Sequence, residues 1–138
     1  MKRLFHTGTN DNYLNLIVLI VRLTVASLMI THGLPKLYTL LAVGEIHFPD
    51  PIGLGQTLSL ILVVFAEFFC YIFIGIGLGT RLASIPLIIN MIVVAFIVHA
   101  DHPIGEKEMA LLYLVFYLLL LVTGSRKFSV DYLITRKK

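Results

Sequence analysis

Arg22 and Glu67 each stand well inside a long apolar run, and they are the only formal charges far from the ends of such runs. An ion at the centre of a membrane helix costs about 2.5 to 3.5 kcal/mol on insertion scales, so two independent accidents are less economical than a pair. A buried Arg22–Glu67 ion pair is therefore expected. It can serve as a clamp that fixes helix register or as a proton or ligand site, and the residues alone leave both open. A second constellation gathers near the opposite ends of the apolar runs: His32 and Lys36 after the first, His99 after the third, and Glu108, with Glu106, at the start of the fourth. Two imidazoles, an ammonium and a carboxylate at the mouth of an apolar cavity can bind an anion, hydrogen-bond a quinone carbonyl or relay a proton. Each residue alone reads more simply as a helix-end group reaching for water, and only the convergence of three helices makes a site.

Other chemistries are less well supplied. His32 and His99 are a poor haem pair beside Lys36. His99, Asp101, His102 and Glu106 form only a weakly specific metal pattern, so no metal site is expected. Neither a phosphate loop nor a nucleophile triad is present in the sequence. Cys70 is the one cysteine, which excludes an intrachain disulfide or dithiol redox pair and leaves it a packing role.

The elements that must position these groups follow from composition. Of 138 residues 58% are hydrophobic and 14% charged, and the mean hydropathy of +0.93 is that of an integral membrane protein. Four stretches, residues 13–32, 57–78, 81–99 and 107–124, approach the roughly 20 apolar residues that cross a bilayer. The expectation is an all-α, integral membrane four-helix bundle forming one domain over residues 1–138. Eight of the eleven Lys and Arg (Lys2, Arg3, Arg81, Arg126, Lys127, Arg136, Lys137, Lys138) fall on one side, which puts both termini in the cytoplasm. The sequence pI of about 9.1 then reflects topology and anionic lipid, with no nucleic-acid partner. The start reads as an uncleaved signal anchor, since the run after Lys2 and Arg3 is too long for a signal peptide and lacks a small-residue cleavage site.

Along the chain, Thr9, Asn10, Asp11 and Asn12 offer N-caps for the first helix. Arg22, His32 and Lys36 share an arc of about 80° on that helix. Gly33 and Pro35 are expected to end it, with residues 36–43 forming a separate short surface helix. The loop at 44–56 carries Phe48, Ile52 and Leu54, so it is expected to fold back as a partly re-entrant cap. Gln56, Leu60, Glu67, Tyr71 and Ile74 share a face of the second helix. The tight turn with Gly79 and Arg81 makes the second and third helices antiparallel, a cytoplasmic turn. Asn90 reads as interhelical glue, and Tyr113 and Tyr117 form one stripe of the fourth helix.

Taken together, Arg22, His32-Gly-Leu-Pro-Lys36-Leu, Glu67, Gly77-Leu-Gly79-Thr-Arg81-Leu, His99, Glu108-Met-Ala-Leu-Leu-Tyr113 and the tail Gly124 to Asp131 resemble the DoxX family of small four-helix membrane proteins. The resemblance runs from Arg22 to Asp131. The tail departs from the family's Gly-x-Gly-Arg-Tyr-Ser-x-Asp, with Arg126, Lys127 and Phe128 in place of Gly, Arg and Tyr. Family members are similar to the membrane subunit of thiosulfate:quinone oxidoreductase and to membrane partners of redox and sulfur-stress enzymes. The resemblance thus implies an inner-membrane, quinone-linked redox subunit. In it Lys36, His32 and His99 orient a quinone headgroup or an oxyanion, and Glu67 or Glu108 accepts the proton. The chain supplies no intrinsic redox group, so a redox protein partner is implied. A non-enzymatic scaffold or assembly subunit is the alternative, a homo-oligomer is compatible with either, and a small-molecule transporter is the least favoured.

Overall fold

The computed structural model describes residues 10–136. Lys2, Arg3, Thr9, Lys137 and Lys138, used above for topology and capping, lie outside the described residues. Four long helices follow one another: α1 (Asp11–Leu41), α2 (Gln56–Ile76), α3 (Thr80–Val98) and α4 (Ile104–Thr123), and a short tail helix α5 (Val130–Arg136) ends the described chain. There is no strand among the described residues. α1, α2 and α3 are long and apolar enough to cross a membrane. The 20-residue α4 carries Glu106, Lys107 and Glu108 in its opening turns and is apolar beyond them. Large apolar side chains such as Ile17, Leu23, Ile89 and Phe96 lie exposed on the bundle's outside, which lipid and not water must cover.

Asn10, one of the expected caps, accepts from the Asn12 N–H and starts α1. The helix does not stop at Gly33 or Pro35, and residues 36–41 are its last turns, not a separate surface helix. Proline removes one backbone donor, but that local penalty is outweighed by ties on either side of it. Gly33 lies against the backbone of Glu67 on α2, and Lys36 pairs with the Glu67 carboxylate. The Thr39 hydroxyl also donates to the Pro35 carbonyl, 3.1 Å away.

α1 runs antiparallel to α2, with Gly33 opposite Glu67, Ala26 opposite Gly75 and Arg22 opposite Ile74. α2 turns into α3 through Gly77 and Gly79, both left-handed (φ 73° and 58°), so these neighbours are antiparallel as expected. α3 packs most closely on α4, and α4 meets α1 to close the ring. The core is built from Val25, Met29, Tyr71, Ile74, Leu87, Met91, Tyr117 and Leu120, and Cys70 is buried within it. Two stretches wind as π-helix, Phe65–Cys70 within α2 and Val94–Val98 at the end of α3. A π turn inserts a residue into the helical repeat and is common at functional sites. Along α2 the expected face is buried at Leu60, Glu67, Tyr71 and Ile74, while Gln56 is exposed.

In the connection from α1 to α2 the carboxylate of Asp50 accepts from the Leu54 N–H, the Gly55 N–H and the Ser59 hydroxyl at 2.9, 2.7 and 2.8 Å. Those bonds, the Ser59 hydroxyl foremost, hold the Asp50 carboxyl below its ordinary range. The loop is thus fixed by a polar side chain at the start of α2. Of the apolar residues expected to fold inward, Phe48 is half-buried but Ile52 and Leu54 are exposed.

Candidate functional site

Glu67 is 3% exposed, and both its carboxylate oxygens are engaged. Oε1 accepts from the Asn90 amide of α3 at 2.8 Å, and Oε2 pairs with the ammonium of Lys36 from α1. A carboxylate in an apolar bundle needs such donors, because an unpaired charge there is far more costly than a neutral group. The Lys36 side chain is 30% exposed, so the pair reaches from the core toward the loop end of the bundle. The π turn and the glycine are part of the same arrangement. A Cβ on Gly33 would stand 2.0 Å from the Glu67 carbonyl oxygen, so only glycine lets α1 approach here.

The expected Arg22–Glu67 pair is not formed. Arg22 is 1% exposed, and its guanidinium donates to four backbone carbonyls: Nε to Ile74 (2.8 Å), Nη2 to Gly75 (2.9 Å), and Nη1 to Ser125 (2.9 Å) and Phe128 (2.8 Å). The last carbonyls of a helix lack intrahelical partners and carry partial negative charge, which suits a buried arginine as well as a carboxylate would. The physical reason for the different partner is depth. The first turns of α1 overhang the end of α2, so Arg22 lies at the tail end of the bundle, about 21 Å along α1 from Lys36. Gly77 makes room for it, since a Cβ there would meet Nη2 at 2.4 Å. Asp131 completes this second polar centre. Its Oδ1 accepts from the Gly79 N–H (2.8 Å), its Oδ2 from the Ser125 hydroxyl (2.9 Å), and its own N–H donates to the Gly77 carbonyl (3.0 Å).

The remaining sequence candidates are dispersed. His32 is exposed and sits one turn before Lys36, where it helps line a cavity of about 410 Å³ between α1 and α4 with Thr31, Leu28, Tyr113 and Phe116. His99 is half-buried, its Nδ1 2.9 Å from the Val94 carbonyl and its ring edge-on to His102 at 5.1 Å. His102 in turn lies 2.7 Å from Glu106. Glu108 is exposed. Among the described residues no hydrogen bond or ion pair joins His32, His99 and Glu108 to one another or to Lys36, and no group of three or more metal-ligating side chains forms. Arg81 donates from Nη2 to the Val122 carbonyl at 3.2 Å, tying the α2–α3 turn to the end of α4.

One feature of the core was visible only as a stripe in the sequence. The hydroxyls of Tyr71 and Tyr117 are 2.7 Å apart, fully buried, and Tyr113 stacks on Tyr117 with ring centres 6.1 Å apart. Tyr71 follows Glu67 by one turn of α2, and Tyr113 lines the α1–α4 cavity, so this aromatic row lies between the buried carboxylate and the cavity wall.

Compared with known families, residues 17–100 match the model of DoxX. Comparison with curated proteins and with solved structures returns no match. The matched segment holds α2, α3 and most of α1, and with them Arg22, His32, Lys36, Glu67, Asn90 and His99.

Proposed function

The chain belongs to the DoxX family, and from that premise we propose that it is the inner-membrane subunit of a quinone-linked redox system similar to thiosulfate:quinone oxidoreductase. In this reading α4 is a fourth span, both termini are cytoplasmic, and Arg81 anchors a cytoplasmic turn. The observation that carries the proposal is the Glu67 carboxylate, held between Asn90 and Lys36, with Lys36 one turn of α1 beyond His32, which lines the α1–α4 cavity. An apolar cavity with a few polar groups at one end suits a lipid-soluble ring with a hydrocarbon tail. Reduction of a quinone to its quinol takes two electrons and two protons. The electrons come from a reduced sulfur oxyanion through a partner that carries the redox group, and this chain holds the quinone and handles protons. Lys36 and His32 orient the headgroup, and Glu67 exchanges a proton with it.

A second reading rests on the other polar centre. Four carbonyls gathered by Arg22 lock α1, α2 and the tail together, which favours a membrane scaffold or assembly subunit for a redox complex. One experiment separates the two. The purified protein is extracted with organic solvent and assayed, with its membrane partners, for quinone-dependent oxidation of thiosulfate. The redox reading expects bound quinone and activity that Glu67→Gln abolishes while the fold survives. Absence of both quinone and quinone-dependent turnover overturns it in favour of the scaffold.

A further inference from the structure

The tail end of the bundle contains a residue whose left-handed backbone turns the flanking Ser125 and Phe128 carbonyls toward Arg22 while its own side chain is left over. Arg126 is the one non-glycine with positive φ among the described residues (53°), a left-handed conformation in which any side chain other than glycine is disfavoured. Its side chain is not consumed by the fold. Nε is buried with no hydrogen-bond partner among the described residues, and Nη1 lies 3.5 Å from the exposed Asp11, at the outer limit of a hydrogen bond. A buried guanidinium nitrogen left unpaired is costly, and a planar guanidinium is suited to a tetrahedral or planar oxyanion.

Arg126 lines a cleft of about 460 Å³ between the first turn of α1 and the tail, together with Asn15, Lys127, Tyr132 and Thr135. Among the described residues four charges face it. Lys127 adds a second cation; Asp131 has both oxygens occupied by Gly79 and Ser125; Asp11 is largely in solvent and its charge is screened. Beside the cleft, Phe128, Leu133 and Ile134 are exposed apolar side chains, at 49%, 61% and 56%. Cations with amide and phenol groups next to an apolar ledge match a lipid phosphate with its acyl chain alongside.

We propose that this cleft binds the phosphate of an anionic phospholipid, with Arg126 as its principal ligand and Lys127 as its second cation. The site is independent of the quinone reading, being at the opposite end of the bundle from Lys36 and Glu67.

The test uses the full chain in detergent, titrated with phosphatidylglycerol, with phosphatidylcholine or with inorganic phosphate, and bound lipid is counted by native mass spectrometry. Phosphatidylglycerol should bind at least tenfold more tightly than phosphatidylcholine, and inorganic phosphate should not displace it at equal concentration. Arg126→Gly should weaken phosphatidylglycerol binding at least tenfold while the lipid-free melting temperature stays the same or rises, because glycine accepts the left-handed conformation. Lys127→Gln should weaken binding less, and Asp11→Asn should leave it unchanged or tighten it. The proposal is overturned if Arg126→Gly binds phosphatidylglycerol as the parent does, if the two lipids bind equally, or if inorganic phosphate competes on equal terms. It is also overturned if Arg126→Gly and Asp11→Asn lower the lipid-free melting temperature alike without changing lipid binding, which would make Arg126 a clamp on Asp11.

Discussion

Removing Lys36 should harm the protein more than removing the charge of Glu67, although the two form one ion pair. Glu67 is 3% exposed and has two side-chain donors among the described residues, so Lys36→Met leaves a buried carboxylate held by the Asn90 amide. Breaking a buried pair in this way costs about 3 to 5 kcal/mol, and the lower end applies here because the 30% exposure of Lys36 lets water screen the site. Glu67→Gln leaves different groups behind. The new amide still accepts from Asn90, and the freed ammonium can reach water along its own stem, so the loss is one charge-assisted bond of about 1.5 kcal/mol. Lys36→Met with Glu67→Gln removes both charges and should lie within about 1.5 kcal/mol of the parent, a coupling of about 3 kcal/mol. Reversible unfolding of the four proteins in mixed micelles, followed by helical circular dichroism, gives all the differences. Equal losses in the two single variants, or a double variant equal to their sum, would refute the view that Lys36 neutralises a carboxylate with no other cation among the described residues.

Three further outcomes follow from other contacts. Gly33→Ala should destabilise by about 1 to 3 kcal/mol despite alanine's better helix propensity, because its Cβ meets a backbone oxygen that no rotamer can move; a neutral or raised melting temperature would count against the close approach. Arg22→Lys should cost roughly 2 to 3 kcal/mol and expose the Ser125 to Arg136 tail to limited proteolysis, since one ammonium cannot span both the α2 terminus and the tail. Protection of the Leu54 and Gly55 amides from exchange, taken relative to the intrinsic rate at each pH, should fall in Asp50→Asn, and in the parent it should fall as pH drops below about 3.9. The sign follows from the lowered Asp50 pKa: its contribution is complete above the unfolded value and is lost as pH falls through the folded one.

Helices α2, α3 and α4 were legible because the lengths of apolar runs are set by the bilayer, and their observed ends lie within three residues of the expected ones. The end of α1 was not. Gly33 and Pro35 carry strong local stop signals, but the contacts that override them lie across the bundle, on the π turn around Glu67. Glu67 itself was legible as a residue that must have partners, Lys36 as a cation on the right face, and Asn90 as glue between helices. Their meeting was not, because a π turn has no reliable sequence signature and it sets which α2 atoms face α1. Arg22 was assigned the wrong partner for a related reason. A carbonyl is present at every residue and so leaves no mark in the sequence, whereas a carboxylate is conspicuous.

The separation of the two polar centres along α1 bears on where function can reside. Every acceptor of Arg22 is a backbone carbonyl, a group that neither titrates nor leaves, so that end of the bundle is suited to holding α1, α2 and the tail in fixed register. Lys36, Glu67 and Asn90 offer the opposite properties. They are side chains, two of them ionisable, and one, Lys36, reaches solvent one turn beyond His32 of the cavity wall. A bundle fixed at one end and chemically adaptable at the other should divide its variants accordingly. Substitutions at Arg22, Gly77 or Asp131 should lower stability and leave any surviving fraction fully active. Substitutions at Lys36 or Glu67 that fold should change ligand affinity in the folded protein. If the folded fraction of an Arg22 variant lost ligand affinity to the same degree, the two ends would be coupled and the division would fail.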